Sequence, residues 1–394
     1  MKLEKKSPIY LDFNATSPIA SEIAENIGPV LAAWGNPSSI HWAGQQTKKI
    51  IREARLSLAK ALNISPLEIV FTSGGSEANN TVLLSVFEKN QGSNRNQFIT
   101  SAIEHPSVLK TLEKLEGKGA IVHRIEINSA GELNWTHFKK VLGPQTALVS
   151  MMLANNETGL ILPIEEITRL SHAAGAQVHT DAVQALGKIP VDLEQLKVDY
   201  ASFSAHKFYA LKGCGFLFSR KGNDLQALIL GGGQERHRRS GTENTVGIWA
   251  MGKVAERALE IPLQAERLQV LRDQMEKKIK IEITSVQVNH QKNNRLPNTS
   301  SLVIAGVDGE TLLMSLDVKG FAVSTGAACS SGNPEPNPVL LSLGLSREEA
   351  QASLRVSFGW TTTADQVQDF VEALKSVVIR LRELQDLNIS EAQA

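Results

Sequence analysis

The fold is decided by the stretch Asp199-Tyr200-Ala201-Ser202-Phe203-Ser204-Ala205-His206-Lys207, which has the composition of a buried β-strand that ends in polar residues. From about residue 43 to residue 260, similar short runs alternate with segments of helical period. This alternation is typical of a parallel sheet that helices cover on both faces. The seven predicted strands are Glu68–Ser73, Gln97–Ser101, Ala120–Ile125, Ala147–Leu153, Gln177–Thr180, Asp199–Ser204 and Gly215–Phe218.

The alternation stops near Ile261-Pro262, where a long amphipathic helix rich in Glu, Arg and Lys begins. Shorter, mixed elements follow. The segment Ser324–Pro338 is dense in Ser, Gly, Asn and Pro, which predicts a mobile loop. We therefore expect an α/β protein with a large domain over residues 15–260. Residues 1–14 and 261–394 are expected to form a smaller α/β domain that carries this loop.

Charge and composition exclude several classes of partner. The chain has 394 residues, and its 41 basic and 41 acidic side chains cancel. A balanced charge gives no net field to attract nucleic acid or anionic lipid. No stretch approaches the roughly 20 apolar residues of a membrane helix, and the start lacks the apolar core of a signal peptide. We expect a cytoplasmic protein that binds neither nucleic acid nor membrane. The two cysteines are too far apart in sequence to indicate a metal site or a disulfide scaffold.

Polar residues at the ends of the predicted strands are the candidates for the functional site. In a doubly wound sheet the ligand lies beyond the carboxyl ends of the strands. Five groups of polar residues follow these strands: Ser73-Gly74-Gly75-Ser76-Glu77, Glu104-His105, Asn155-Asn156-Glu157, His179–Gln184 and Ser202–Lys207.

Three of these groups together predict a cofactor. Gly75 and Ser76 open a helix after a strand, where free backbone amides attract a phosphate. Asp181 is a carboxylate in an apolar segment that needs a cation, and Lys207 is a lysine at a strand end. Taken singly, each has an ordinary alternative: a simple turn, a structural salt bridge and a solvent-exposed lysine. Together they are the contacts that pyridoxal phosphate requires, with Lys207 holding it covalently as a Schiff base.

Other residues have two possible roles each. Gln184 could hydrogen-bond the cofactor ring or cap a helix, and His105 could stack on the ring and move protons or cap a helix. Cys329 lies in a flexible, polar loop, which favours a nucleophile over a buried thiol, whereas Cys214 precedes an apolar strand and is predicted to be structural. Arg355 stands inside an apolar strand and demands an anion, either a substrate carboxylate or the partner in a buried ion pair.

Seven motifs, in order along nearly the whole chain, resemble those of the cysteine desulfurases in the class V aminotransferase group of fold-type I pyridoxal-phosphate enzymes. They are Gly35-Asn36-Pro37-Ser38-Ser39, Glu104-His105-Pro106, Asn155-Asn156-Glu157-Thr158-Gly159, the segment Asp181–Gln184, Ser204-x-His206-Lys207, Arg239-Ser240-Gly241-Thr242-Glu243-Asn244 and the loop around Cys329. The residues in these motifs are most similar to those of the NifS/IscS branch. The resemblance implies a fold-type I architecture, with a large domain built on a mainly parallel seven-stranded sheet and a smaller α/β C-terminal domain.

The resemblance also implies a role for each matching residue. The residues implied to contact the cofactor are Lys207 as its covalent anchor, Asp181 at the pyridine nitrogen, His105 stacked on the ring, Asn156 and Gln184 as hydrogen-bond donors to the ring, and Gly75, Ser76, Ser204 and His206 at the phosphate, with Thr242 reaching the phosphate from the second subunit of a homodimer. Arg355 and Asn156 are implied to bind the substrate carboxylate.

The activity that the resemblance implies is the conversion of L-cysteine to L-alanine. Lys207 would move the Cα proton of the substrate, and Cys329 would take the sulfur as a persulfide and pass it to an acceptor protein such as an iron–sulfur scaffold. Asn333–Pro338 is richer in proline than usual in the family, which favours a stiffer loop and a different acceptor. The alternatives are a selenocysteine lyase, a class V aminotransferase or, from another class, a non-catalytic protein that keeps the fold to bind a partner.

Overall fold

The computed structural model of the chain describes residues 7–325, 327–328 and 335–392. The strands in these ranges are β1 (Ile9–Tyr10), β2 (Ile69–Thr72), β3 (Gln97–Ser101), β4 (Ile121–Ile125), β5 (Thr146–Ser150), β6 (Gln177–Asp181), β7 (Tyr200–Ser204), β8 (Gly215–Ser219), β9 (Val286–Val288), β10 (Thr299–Ile304), β11 (Phe321–Ala322), β12 (Ser324–Thr325), β13 (Ala327–Ala328), β14 (Glu335–Pro336) and β15 (Ser353–Ser357). The helices are α1 (Ser21–Leu31), α2 (Trp42–Ala61), α3 (Gly75–Lys89), α4 (Pro106–Glu116), α5 (Trp135–Val141), α6 (Ile164–Ala173), α7 (Leu193–Leu196), α8 (Thr245–Ala255), α9 (Ile261–Glu282), α10 (Gly309–Val318), α11 (Pro338–Ser342), α12 (Arg347–Gln351) and α13 (Ala364–Ala392).

Seven strands form the central sheet in the order β2-β8-β7-β6-β5-β3-β4. The strands from β7 to β4 in this order are parallel, whereas β8 is antiparallel to both of its neighbours. Residues 205–214, which connect β7 to β8, are too few for the crossover that a parallel pair needs. The prediction of an α/β fold with a mainly parallel seven-stranded sheet is confirmed. The largest shift in strand bounds is at β5, which ends at Ser150 rather than Leu153.

A second, antiparallel sheet has the order β12-β15-β10-β9. Its strand β12 lies in the segment predicted to be a loop, and Ser324 in that strand pairs with Arg355 in β15. The two residues of β13 pair with the two residues of β14 in the same segment. The prediction of a continuous loop was therefore wrong for these short strands, because pairing with a neighbouring strand overrides a local composition rich in turn-forming residues. Cys329 lies outside the described residues.

Three hydrophobic clusters form the core of the described residues. Two lie among the strands of the central sheet and the helices that cover it. The third joins Ile9 and Leu11, near the start of the chain, to buried residues of α9, β15 and α13. The division into residues 15–260 and residues 1–14 with 261–394 stays a prediction, and the first of the three clusters includes Phe13 and Leu343 from the predicted smaller domain.

Local signals fix the start of the last long helix. Thr363 and Gln366 exchange two hydrogen bonds of 3.2 and 3.1 Å between their side chains and backbone amides just before and within the first turn of α13. This is the capping box that the sequence predicts at that position. Among the helices of the described ranges, none combines the length and the apolar composition that crossing a membrane requires.

Candidate active site

A cavity of about 670 Å³ opens at the carboxyl ends of the parallel strands. Its wall contains ten of the residues that the sequence singled out: Gly75, Ser76, His105, Asn156, Asp181, Gln184, Ser204, His206, Lys207 and Arg355. Thr242 is exposed and lies instead in the wall of a smaller, neighbouring cavity. The fold thus gathers strand-end residues from across the sheet into one concave surface.

One end of this cavity is formed by the start of α3. No side chain caps that helix, so the first backbone amides are available to an anion. A Cβ atom at Gly75 would lie 2.6 Å from Val183 Cγ2, which explains why glycine stands at this position. The hydroxyl of Ser204 lies close by, 3.6 Å from the position that a Cβ would take at Gly74. These groups suit a phosphate better than a cation.

Lys207 ends a short 3₁₀ helix, Ala205–Lys207, that follows β7 directly. Its Nζ donates hydrogen bonds of 2.7 Å to each of the backbone carbonyls of Asn14 and Ala15. Burial, together with the nearby Arg355 guanidinium, lowers the pKa of Lys207 to about 8. A lysine with such a pKa has an appreciable neutral fraction near neutral pH, which a nucleophile or a proton acceptor needs.

Asp181 is a buried carboxylate at the end of β6. Its Oδ2 accepts a 2.7 Å hydrogen bond from the side-chain amide of Asn79, and its Oδ1 accepts a 3.0 Å bond from the backbone N–H of Val183. Both partners are uncharged. The negative charge of Asp181 is therefore available to a cation in the cavity.

A polar chain connects Asp181 to His105. The same Asn79 amide donates a 2.9 Å hydrogen bond to Ser107 Oγ, which lies 2.8 Å from Nδ1 of His105. The backbone N–H of Ser107 also donates to Nδ1 over 3.1 Å, so Nδ1 is an acceptor and the ring proton belongs on Nε2. Burial outweighs the effect of Asp181 and lowers the pKa of His105. His105 is consequently a neutral imidazole, and it both caps α4 and lines the cavity.

Glu104, next to His105, is the second buried carboxyl group of this region. It accepts hydrogen bonds from Ser101 Oγ over 2.5 Å and from the backbone N–H of Met152 over 2.9 Å, while its Oε2 has no partner among the described atoms. Burial, with a smaller contribution from Asp181, raises the pKa of Glu104 to about 8. Glu104 is therefore a neutral acid at neutral pH.

A third polar network lies behind Lys207. Gln184 donates a 3.0 Å hydrogen bond to the carbonyl of Asn14, and its Oε1 accepts from the buried amine of Lys188. Lys188 also donates to Oδ1 of Asn14 over 2.8 Å. Burial, followed by the effect of Lys207, lowers the pKa of Lys188 well below its usual range. The backbone carbonyl of Asn14 thus accepts hydrogen bonds from the side chains of both Gln184 and Lys207.

His206 lies between Lys207 and the N-terminal segment. Its Nδ1 is 3.1 Å from Thr16 Oγ1, and its backbone carbonyl accepts hydrogen bonds from the N–H and the hydroxyl of Ser17. Burial, with a smaller effect of Lys207, lowers the pKa of His206 to about 4. His206 is neutral, so it contributes to an anion site as a hydrogen-bonding group rather than as a charge.

Arg355 forms ion pairs with two carboxylates of the chain itself. Its Nη2 lies 2.8 Å from Asp12 Oδ1 and its Nη1 lies 3.0 Å from Glu157 Oε2. Although burial disfavours the charged form, these two carboxylates outweigh it and raise the pKa of Arg355. The side-chain amide of Asn156 donates to the other oxygen of Glu157. The structure therefore contains the buried ion pair that the sequence left open as one explanation of Arg355.

The described cysteine, Cys214, is buried beside the sheet. Its Sγ donates a 3.0 Å hydrogen bond to the carbonyl of Leu211, and burial raises the pKa of Cys214 to about 12. Such a thiol stays protonated and unreactive. In the described ranges, no group of three or more His, Cys, Asp or Glu side chains has the arrangement of a metal site.

Asn79 and Lys188 of this site were not identified from the sequence, and neither were the partners of Glu157, Asp12 and Asn14. Asn79 stands one helical turn after Ser76 on α3, so the helical period was the available signal. The ion pairs of Glu157 and Asp12, and the contacts of Lys188 and Asn14, had no such signal, because they join segments that are far apart in sequence.

Comparison with known proteins agrees with this architecture. Residues 9–370 match the family model of class-V aminotransferases. A cysteine desulfurase IscS of Dictyoglomus turgidum is 41% identical over 379 residues, which cover 96% of each chain. A solved structure of a NifS-like protein has a TM-score of 0.88 and 36% identity, over 94% of this chain and 99% of the other. A structure described as SspA in complex with cysteine has a TM-score of 0.78 and 30% identity, over 89% of this chain and 98% of the other.

The chain belongs to the class-V aminotransferase family, and its fold is similar to that of a NifS-like protein. Within that family it belongs to the cysteine desulfurases, with relatives that include IscS and NifS-like proteins. The resemblance inferred from the seven sequence motifs is thereby confirmed.

Proposed function

We propose that the protein uses pyridoxal phosphate, held by Lys207, to convert L-cysteine to L-alanine and to transfer the sulfur to Cys329 as a persulfide. The observation that carries this proposal is the convergence of the α3 start, Asp181 and Lys207 on one cavity. The relatives named cysteine desulfurase supply the reaction.

The residues of the cavity fit pyridoxal phosphate. The uncapped start of α3 and the hydroxyls of Ser76 and Ser204 suit its phosphate, and the carboxylate of Asp181, which has only uncharged partners, suits its protonated pyridine nitrogen. The amine of Lys207 is held by backbone carbonyls rather than by a carboxylate, so it is available for covalent attachment. When bound, this cofactor withdraws electrons from the amino acid attached to it.

The protein's own groups account for proton transfer and binding. Lys207, with its pKa lowered to about 8, is suited to take the Cα proton of the substrate and to return it elsewhere. Neutral His105 and Gln184 would orient the ring. Arg355 and Asn156 lie in the same wall, and we assign the binding of the substrate carboxylate to them.

Sulfur transfer is assigned to Cys329. Its thiolate would form a bond to the substrate sulfur as the carbon–sulfur bond breaks, and a proton would complete the methyl group of alanine. The described residues that precede and follow positions 329–334, Ala328 and Glu335, pair with each other, and Ser324 pairs with Arg355. The second pair joins β12, which precedes Cys329 in the sequence, to the strand that carries the proposed carboxylate-binding arginine.

The test is the production of alanine and sulfide from L-cysteine by single variants. Lys207→Ala is expected to abolish both products and the yellow colour of the bound cofactor. Cys329→Ser is expected to abolish sulfide release, whereas Cys214→Ala, which changes the buried thiol, is the matched control that keeps it. Unimpaired sulfide release by Cys329→Ser would contradict the proposal and would favour a lyase that needs no persulfide.

A homodimer is the second part of the proposal, because Thr242 is exposed and lies outside the main cavity. Several large apolar side chains are also exposed: Trp34 by 76%, Ile40 by 92%, Trp42 by 74% and Leu230 by 83%. Such side chains are typical of an interface. Mixing Lys207→Ala subunits with Thr242→Ala subunits tests the arrangement: recovery of cofactor binding in mixed dimers is expected if Thr242 acts across the interface.

The sulfur acceptor is proposed to be a protein, such as an iron–sulfur scaffold. Transfer of radiolabelled sulfur from the Cys329 persulfide to candidate proteins would identify it, and failure of a purified scaffold to take up the label would exclude that acceptor. The cytoplasmic location stays a prediction.

A further inference from the structure

Glu157 occupies donors of both residues that are assigned to the substrate carboxylate. Its Oε2 forms the 3.0 Å ion pair with Arg355, and its Oε1 accepts from the side-chain amide of Asn156. The side chain of Glu157 is only 12% exposed, so these contacts are largely shielded from water. A carboxylate of the protein is thus bound by the same pair of side chains that is expected to bind the carboxylate of an amino acid.

The guanidinium of Arg355 already pairs with two carboxylates of the chain, Asp12 and Glu157. A substrate carboxylate that bonds the same guanidinium would lie beside these two groups in a poorly solvated environment, where like charges repel strongly. Release of one of the two internal carboxylates reduces that repulsion.

Glu157 is the carboxylate better suited to leave. Asp12 contacts Arg355 without bonding Asn156, so its departure would free one donor residue rather than two. The backbone of Glu157 is held by Asn155, whose Oδ1 accepts from the N–H groups of Glu157 and Thr158 over 2.9 and 3.0 Å. The longer side chain of Glu157 can therefore rotate away while its backbone stays in place.

We propose that Glu157 is an internal competitor of the substrate carboxylate, which weakens the binding of amino acids at Arg355 and Asn156 and so favours the release of L-alanine. The inference rests on the proposed function, in which these two residues bind that carboxylate. Ligands without a carboxylate leave Glu157 in place and are insensitive to it. Glu157 therefore affects how strongly the enzyme distinguishes an amino acid from its amide, which lacks the carboxylate.

The experiment titrates the holoenzyme with L-alanine and with L-alaninamide and follows the absorbance of the bound cofactor. Glu157→Gln is expected to increase the affinity for L-alanine by about tenfold, which is the effect of one well-formed charge interaction. The affinity for L-alaninamide is expected to change by less than about twofold. Asp12→Asn is the matched control: it removes the same charge from Arg355 but keeps the contact between Glu157 and Asn156, so a smaller gain is expected. Glu157→Asp, which keeps the charge on a shorter side chain, is expected to fall between the wild type and Glu157→Gln.

Two outcomes would overturn the inference. Weaker binding of L-alanine by Glu157→Gln would mean that Glu157 orients Arg355 and Asn156 instead of competing for them, and equal changes for both ligands would mean that the carboxylate is not involved. The variant Arg355→Gln distinguishes a failure of this inference about Glu157 from a failure of the proposed function. If that variant keeps the wild-type preference for L-alanine over L-alaninamide, Arg355 does not bind the carboxylate, and both the assignment and the inference are wrong.

Discussion

The side-chain amide of Asn79 donates one hydrogen bond of 2.7 Å to Asp181 and another of 2.9 Å to Ser107, which contacts His105. Asp181 and His105 thus lie at opposite ends of one polar chain that passes through Asn79. Both are proposed to contact the cofactor ring, so Asn79 positions the two of them. Its own carbonyl oxygen, Oδ1, is buried without a partner among the described atoms, so the amide is oriented by its two acceptors.

Asn79→Ala is expected to weaken cofactor binding by about tenfold, because a buried carboxylate that loses a hydrogen bond is held less well and is costlier to keep charged. The measurement is a titration of the cofactor-free protein with pyridoxal phosphate. Asn80→Ala is the control, since Asn80 bonds Ser76 O and Thr111 rather than Asp181. Equal affinities of the two variants would show that Asn79 does not position Asp181.

Gly75→Ala is expected to destabilise the protein by about 1–3 kcal/mol, because the added methyl group would lie 2.6 Å from Val183 Cγ2. Val183→Ala removes that atom, so the double variant should recover most of the loss in thermal unfolding and in cofactor affinity. Gly28→Ala provides the contrast: Gly28 lies in α1 with open space around it, and alanine there should stabilise the helix slightly. No recovery in the double variant would mean that Val183 is not the obstacle.

The covalent attachment of pyridoxal phosphate to the cofactor-free protein should depend on pH with a midpoint near 8, because burial and Arg355 lower the pKa of Lys207. Below this pH the amine is protonated and attachment slows. Arg355→Gln should shift the midpoint to higher pH, since it removes a positive charge that disfavours the protonated amine. Lys212→Gln is the control. It removes another positive charge from the cavity wall, but Lys212 is not among the groups that lower the pKa of Lys207, so a smaller shift of the midpoint is expected. A midpoint near 10.5 in the wild type would show that Lys207 behaves as an exposed amine.

Glu104 should make the stability of the protein depend on pH. The folded protein keeps Glu104 protonated up to about pH 8, whereas the unfolded chain releases that proton near the ordinary pKa of 4.5. The contribution of Glu104 to stability is therefore present below pH 4.5 and is lost as the pH rises to about 8. Thermal unfolding of Glu104→Gln should show a gain in stability over the wild type between these limits. Glu113→Gln, on an exposed residue of α4, is the control, and parallel curves for Glu104→Gln and the wild type would contradict the buried, neutral state.

The central sheet and most of the cavity wall could be predicted from the sequence, because strand ends in a parallel sheet meet at one edge. Asp181, Lys207 and Gly75 each lie at or just after the end of a strand that the sequence pattern predicts. Local signals of this kind act over a few residues. The same reasoning succeeded at Thr363 and Gln366, whose capping box needs only the first turn of a helix.

The partners of Arg355 could not be predicted in this way. Its ion pairs with Asp12 and Glu157 join β15 to the start of the chain and to a turn after β5, and only the tertiary fold brings these segments together. Sequence reasoning left two explanations of Arg355 open for that reason. The prediction of a loop over Ser324–Pro338 was wrong for a similar reason. The pairing of Ser324 with Arg355 depends on a strand that comes later in the sequence.

Asn14 is bonded by groups from very different parts of the chain: Lys207 and Gln184 donate to its carbonyl, and its own backbone N–H donates over 2.9 Å to the hydroxyl of Ser357, 343 residues later. During synthesis on the ribosome, the hydrogen bonds of Asn14 cannot be complete until Ser357 has been added to the chain. Contacts of such long sequence separation form late in folding. The proposed cofactor pocket can therefore be complete only after Ser357 has been synthesised, and a nascent chain released earlier would expose an incomplete one.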